Sequence, residues 1–199
     1  MPVTVPIPSW NAQGVLPAFD VTAPASVNRA PYLVSLSDLV LRFSTSPERT
    51  AILRGFVAYR AELHSLGLVD GFQWVNGSFM ESVETGSRNR PPNDVDVVTF
   101  CRFPAGTTQL SLVAARPDLF PATEADHDAL RARLRVDAYI QDLGTASERL
   151  VSRTSYWYSL WAHQRDTFQW KGFLQVGLSP IEDPTAAKLL LSPATGGTP

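Results

Sequence analysis

Two aspartates at alternate positions of a β-branched run are the residues whose type and spacing could do chemistry. They are Asp94 and Asp96 in Asn93-Asp94-Val95-Asp96-Val97-Val98-Thr99-Phe100. On a strand successive side chains alternate faces, so these carboxylates project from one side while Val95 and Val97 project from the other. Like charges on one face of an apolar strand repel unless something positive lies between them. A hard divalent cation bound through carboxylate and phosphate oxygens answers that need, and Mg²⁺ suits it best. Upstream, Trp74-Val75-Asn76-Gly77-Ser78-Phe79 reads as a strand ending in a tight turn. Such a turn can lead into a helix whose free N–H groups accept phosphate. The plain alternative for an Asp-x-Asp at a strand edge is a solvated face, and Gly-Ser alone carries almost no information.

Taken together, strand, Gly77-Ser78, short helix, loop and Asp94-x-Asp96 strand make a much more specific pattern. It resembles the nucleotidyltransferase superfamily with its polymerase-β-like fold, and within it a small bacterial and phage branch. The connection from Ser78 to Asp94 is longer than in minimal members, with Glu84 to Pro92 reading as a polar insertion. The resemblance implies a third carboxylate on a following strand. Asp137, in Leu134-Arg135-Val136-Asp137-Ala138-Tyr139-Ile140, is the candidate in the right context, against the alternative of a surface strand residue. It further implies that Asp94, Asp96 and Asp137 hold Mg²⁺ or Mn²⁺, with Asp137 also able to accept a proton. Gly77 and Ser78 would donate to the β and γ phosphates of a nucleoside triphosphate, most simply ATP. The implied reaction is in-line attack on the α-phosphorus, carrying a nucleoside monophosphate to a protein or RNA acceptor. By analogy, small stand-alone members belong to toxin–antitoxin or phage-defence systems.

Other residues are weaker candidates. Arg88 and Arg90, just before Asp94, could meet phosphate or an acidic acceptor, though loop arginines usually do neither. Lys171 could reach a phosphate from the start of a late strand. Arg131, Arg133 and Arg135 read as a solvated face. Trp157 and Trp161 at i, i+4 read as core, with a neighbouring tyrosine free to stack on a base. His64, His127 and His163 lack metal-ligand spacing.

The elements that must position these groups can be read from periodicity. Ser46-Pro47 starts a helix on which Ile52, Phe56, Tyr59, Leu63 and Leu66 form one apolar stripe, ending at Gly67. Strands are expected at 73–76, 95–100, 134–140 and 172–178. Helices are expected within 32–43, at 107–116, from a Thr123/Asp126 capping box to 133, at 152–165, and from Asp183-Pro184 to Pro193. The sum is an α/β (α+β) fold, a small mixed sheet with helices mainly on one face. Residues 1–46 would form an extended Pro-rich arm with a short helix, 47–192 the nucleotidyltransferase-like domain, and 193–199 a loose tail.

Composition narrows the classes. The chain has 199 residues, 44% hydrophobic and 18% charged, as globular proteins do. A net charge of -2 gives no global basic field for nucleic acid, although a local patch is compatible with it. The lone Cys101 excludes an internal disulfide framework and fits a reducing cytosol. With no apolar run near a membrane span and no basic residue before Arg29, a cytoplasmic protein without a membrane partner is expected. A partner protein or a second copy of the chain is compatible with all of this. The rival from another class is an inactive domain of this shape that binds a nucleotide or a partner protein. A signalling enzyme that joins nucleotides is a further rival, but the chain is short for a helical second domain.

Overall fold

The longest helix sets the frame. The computed structural model describes residues 4–85 and 89–191, and in it α2 runs Pro47–Ser65. Its N-cap is Ser46, whose hydroxyl accepts from the Arg49 N–H at 3.2 Å, and Pro47 sits where no intrahelical donor is needed. Ile52, Phe56, Tyr59 and Leu63 are buried, as their spacing requires. Gly67 follows the Leu66 cap in the left-handed region, φ +77°. Arg49 and Arg60 lie on the same stripe and are fully buried too.

Five strands form one mixed sheet: β1 Tyr32–Leu33, β2 Gly71–Asn76, β3 Val95–Cys101, β4 Val136–Asp142 and β5 Leu174–Gly177, in the order β1-β5-β2-β3-β4. β2 is antiparallel to both neighbours, β3 and β4 are parallel, and so are β1 and β5. The helix expected within 32–43 is shorter, α1 Leu36–Phe43, because Tyr32 and Val34 donate their N–H groups to Phe173 and Gln175 of the β5 edge. The remaining helices are α3 Gln109–Ala115, α4 Glu124–Leu134, α5 Ser147–Trp161 and α6 Asp183–Leu191. The expected capping box starts α4, with Thr123 and Asp126 each accepting from the other's backbone N–H.

Strand pairing aligns the two faces across the sheet. Val75, Val97, Ala138 and Leu174 share one face and are buried in the core with α1, α2, α4 and α6. Arg60 ties this layer together, donating to Gln73, the Gly177 carbonyl and Asp183. The other face carries Phe72, Trp74 and Phe100, with ring centroids 4.8 to 6.4 Å apart. Here α5 covers part of the sheet, Trp157 packing on Tyr139 at 4.6 Å and Trp161 on Phe173 at 6.0 Å. Helices therefore lie mainly on one side, and on the other side Asp96 and Asp137, at the starts of β3 and β4, keep partial exposure while Val97 and Ala138 beneath are buried.

The N-terminal arm is a working part of this arrangement. Trp10 donates its indole N–H to the Met80 carbonyl at 2.8 Å, and the Gly14 carbonyl accepts from Ser82 at 2.8 Å. Leu16 is buried, and its carbonyl accepts from Gly172. The arm thus braces both the segment after Gly77 and the segment that carries Lys171. Among the described residues no helix is long and apolar enough to cross a membrane.

Candidate active site

The register brings the predicted carboxylates to one end of one face. Asp96 pairs with Asn76 of β2 on one side and with Asp137 of β4 on the other, and Asp94 lies just before β3 begins. Asp94, Asp96 and Asp137 are all half-buried. Burial, followed by the charges of Asp94 and Asp137, pushes the Asp96 carboxyl up to about 7, against the opposing pull of Lys171 and Arg165. Asp94 is also raised, by burial and then by Asp137, with Arg131 and Arg90 acting the other way. The three carboxylates feel one another.

Gly77 ends β2 beneath this cluster. Its φ is +85°, and a Cβ there would meet the Asp96 Cγ at 2.9 Å, so only glycine lets the turn pass under the carboxylate. The helix expected after it is a single 3₁₀ turn, Ser78–Met80, with Ser78 half-buried. Its backbone is closed locally, Met80 donating to Gly77 and Glu81 to Ser78. Lys171 is 5% exposed, just before β5, with its ammonium donating to Glu81 Oε1 at 2.7 Å and to the Gly77 carbonyl at 3.3 Å. It holds the turn from the interior. Arg90 is exposed, donates to the Pro91 carbonyl, and lends its charge to Asp94. Arg88 lies outside the described residues.

Several residues of the site carry no motif. Buried Arg49 donates to the Phe79 and Glu81 carbonyls and to the Glu84 carboxylate, fixing the chain after Ser78. His127 Nδ1 donates to Asp137 Oδ1 at 2.6 Å, and Arg131 approaches Oδ2 at 3.2 Å. Arg131 is therefore ion-paired at the site, where a solvated face had been expected. The i, i+4 spacing of His127 and Arg131 signals a shared helix face, but nothing in it names Asp137 as the target. Asn76 is 2% exposed, with its amide donating to the Trp161 carbonyl and its Oδ1 lacking a hydrogen-bond partner. Trp157 and Trp161 are buried as their spacing predicts, and Tyr156 is exposed.

An all-oxygen donor set suits a hard cation at Asp94 and Asp96, whose carboxyls are raised first by burial and then by neighbouring carboxylates. Among the described residues no group of three or more His, Cys, Asp and Glu side chains is gathered as a metal cage. The Asp137 carboxylate is bonded to His127, Arg131 and the Tyr139 hydroxyl.

No curated protein and no solved structure matches the chain. One family model does, over residues 8–177, from the arm through β5. The chain belongs to that family, DUF6932, a family of unknown function.

Proposed function

We propose that this domain is a nucleotidyltransferase, moving a nucleoside monophosphate, most simply AMP, from a nucleoside triphosphate to a protein or RNA acceptor. One observation carries the reading. Three half-buried carboxylates share one face at one end of the sheet, and the Gly77 turn packs directly against the middle one. Binding alone has no need of the repulsion these carboxylates impose.

Asp94 and Asp96 would hold Mg²⁺ or Mn²⁺, which when bound neutralises phosphate charge and acidifies an acceptor hydroxyl. The acceptor oxygen bonds to the α-phosphorus as the bond to the bridging oxygen breaks, and pyrophosphate leaves. Ser78 and the backbone of its turn face the β and γ phosphates, with Lys171 and Arg49 keeping that turn in place. Arg90 adds positive charge at the rim near Asp94. Asp137 takes the hydroxyl proton or completes the cation site.

One observation favours the alternative, a domain that binds a nucleotide or a partner without catalysis. The Asp137 carboxylate is already engaged by an arginine and a histidine. Incubation with each α-labelled nucleoside triphosphate, Mg²⁺ and a bacterial lysate separates the two. Label should pass from one nucleotide to a macromolecule, and Asp96→Asn should reduce transfer at least about 100-fold. Nucleotide binding without transfer from any of the four would establish the non-catalytic reading.

A further inference from the structure

Two side chains of α4 hold the third carboxylate, with the Tyr139 hydroxyl donating to its Oδ2 at 3.4 Å, and the two α4 attachments differ in kind. The His127 side chain is 12% exposed, and its ring packs on Tyr139 at 4.8 Å, which packs in turn on Trp157 at 4.6 Å. The imidazole stands in an aromatic stack that fixes its direction. Arg131 is bound elsewhere through its other terminal nitrogen, which donates to Glu124 at 2.6 Å and Asp128 at 2.7 Å. Its contact with Asp137 Oδ2, at 3.2 Å, can therefore open while the guanidinium keeps two carboxylate partners. The same guanidinium counteracts the charge on Asp94.

A second feature marks this face as incomplete. Asn76 is buried opposite Asp96 with its amide nitrogen fixed on the Trp161 carbonyl, and its Oδ1 has no donor. Buried acceptors are ordinarily bonded, so an unpartnered oxygen on the residue paired with Asp96 points to a ligand there.

We propose that Arg131 is a stand-in cation on Asp137 that a divalent cation displaces, while His127 is the positioning residue that keeps Asp137 aimed at the site. This rests on the metal-dependent reading above. Exchange at one oxygen of a carboxylate whose other oxygen stays anchored needs no change of fold. Partners that orient a metal-ligating side chain typically alter metal affinity by 10- to 100-fold, which sets the scale expected here.

The test is Mn²⁺ binding to the nucleotide-free protein, followed by the paramagnetic resonance of free Mn²⁺. Arg131→Gln should tighten binding roughly three- to tenfold. Adding Asp137→Asn should remove that gain, which separates it from Mn²⁺ captured by the freed Glu124 and Asp128. His127→Asn, whose amide nitrogen reproduces Nδ1, should stay within about threefold of wild type. His127→Gln, whose nitrogen falls at the Nε2 position, should weaken binding about tenfold or more. Both amides are uncharged and similar in size, so the contrast does not depend on a variant that unfolds. Unchanged or weaker binding in Arg131→Gln overturns the stand-in role, and equal binding in the two amide variants overturns the positioning role. Mn²⁺ binding that is absent, or indifferent to Asp96→Asn, overturns the reading of the site itself and this proposal with it.

Discussion

At the scale of single residues, Asp96 carries the largest unresolved electrostatic cost of the site. Its carboxyl is pushed from 3.8 up to about 7 by burial and by two neighbouring carboxylates. Between about pH 4 and pH 7 the folded protein retains a proton that the unfolded chain has released. Stability therefore falls as pH rises through that window and levels off above it. Asp94, raised for similar reasons, acts with the same sign. Asp96→Asn keeps the shape and removes the charge. The metal-free variant should melt about 2–6 °C above wild type at pH 8, and the difference should shrink towards pH 4. Thermal unfolding across that range checks it. A variant that melts lower at pH 8 would show that Asp96 holds the fold, and would favour the non-catalytic reading.

At the scale of elements, the Gly-Ser turn is held from outside itself. A three-residue 3₁₀ turn closes too few hydrogen bonds to fix its own geometry. Arg49 of α2, Lys171 before β5 and Trp10 of the arm all bind it or the residues just after it. Arg49 makes the most contacts, and it is fully buried. Arg49→Met removes the donor to two buried carbonyls and to the part-exposed Glu84, and should cost about 2–4 kcal/mol, chiefly from leaving the carbonyls unpaired. Arg49→Lys should recover only part, because an ammonium cannot reproduce the planar fork. Urea unfolding measures both, and a loss under about 1 kcal/mol for Arg49→Met would show that the turn is fixed without it.

For the molecule as a whole, the site is assembled from the end of β2, the starts of β3 and β4, one face of α4 and the approach to β5. A ligand that bridges these parts stabilises all of them together. Cation and nucleotide, each contacting the other as well as the protein, should bind cooperatively. At 100 times its Kd a ligand adds about 2.7 kcal/mol, so Mg²⁺ with the right nucleoside triphosphate should raise the Tm by about 5–10 °C. Either alone should do much less. Merely additive shifts, or none with any of four nucleotides, would point to a domain used as an interaction surface.

Local order in the chain determined much of this. The α2 stripe, the Ser46-Pro47 start, the α4 capping box, and the alternation that puts Asp94 and Asp96 on one face and Asp137 with Tyr139 all depend on residues a few positions apart. Short-range rules therefore reach them. β1 was hidden because two residues have no period, and only the edge of β5 makes them a strand. Strand order and direction were likewise set by pairing, which brings Asp137 directly beside Asp96. Charge partners were the least legible. Nothing in the α2 stripe marks Arg49 or Arg60 for burial, and Lys171 reads as able to reach a phosphate. Their burial became tolerable only when carbonyls and carboxylates tens of residues away closed around them. His127 and Arg131 found Asp137 for the same reason. A charge's nearest neighbour in space is decided by packing, and packing depends on the whole chain at once.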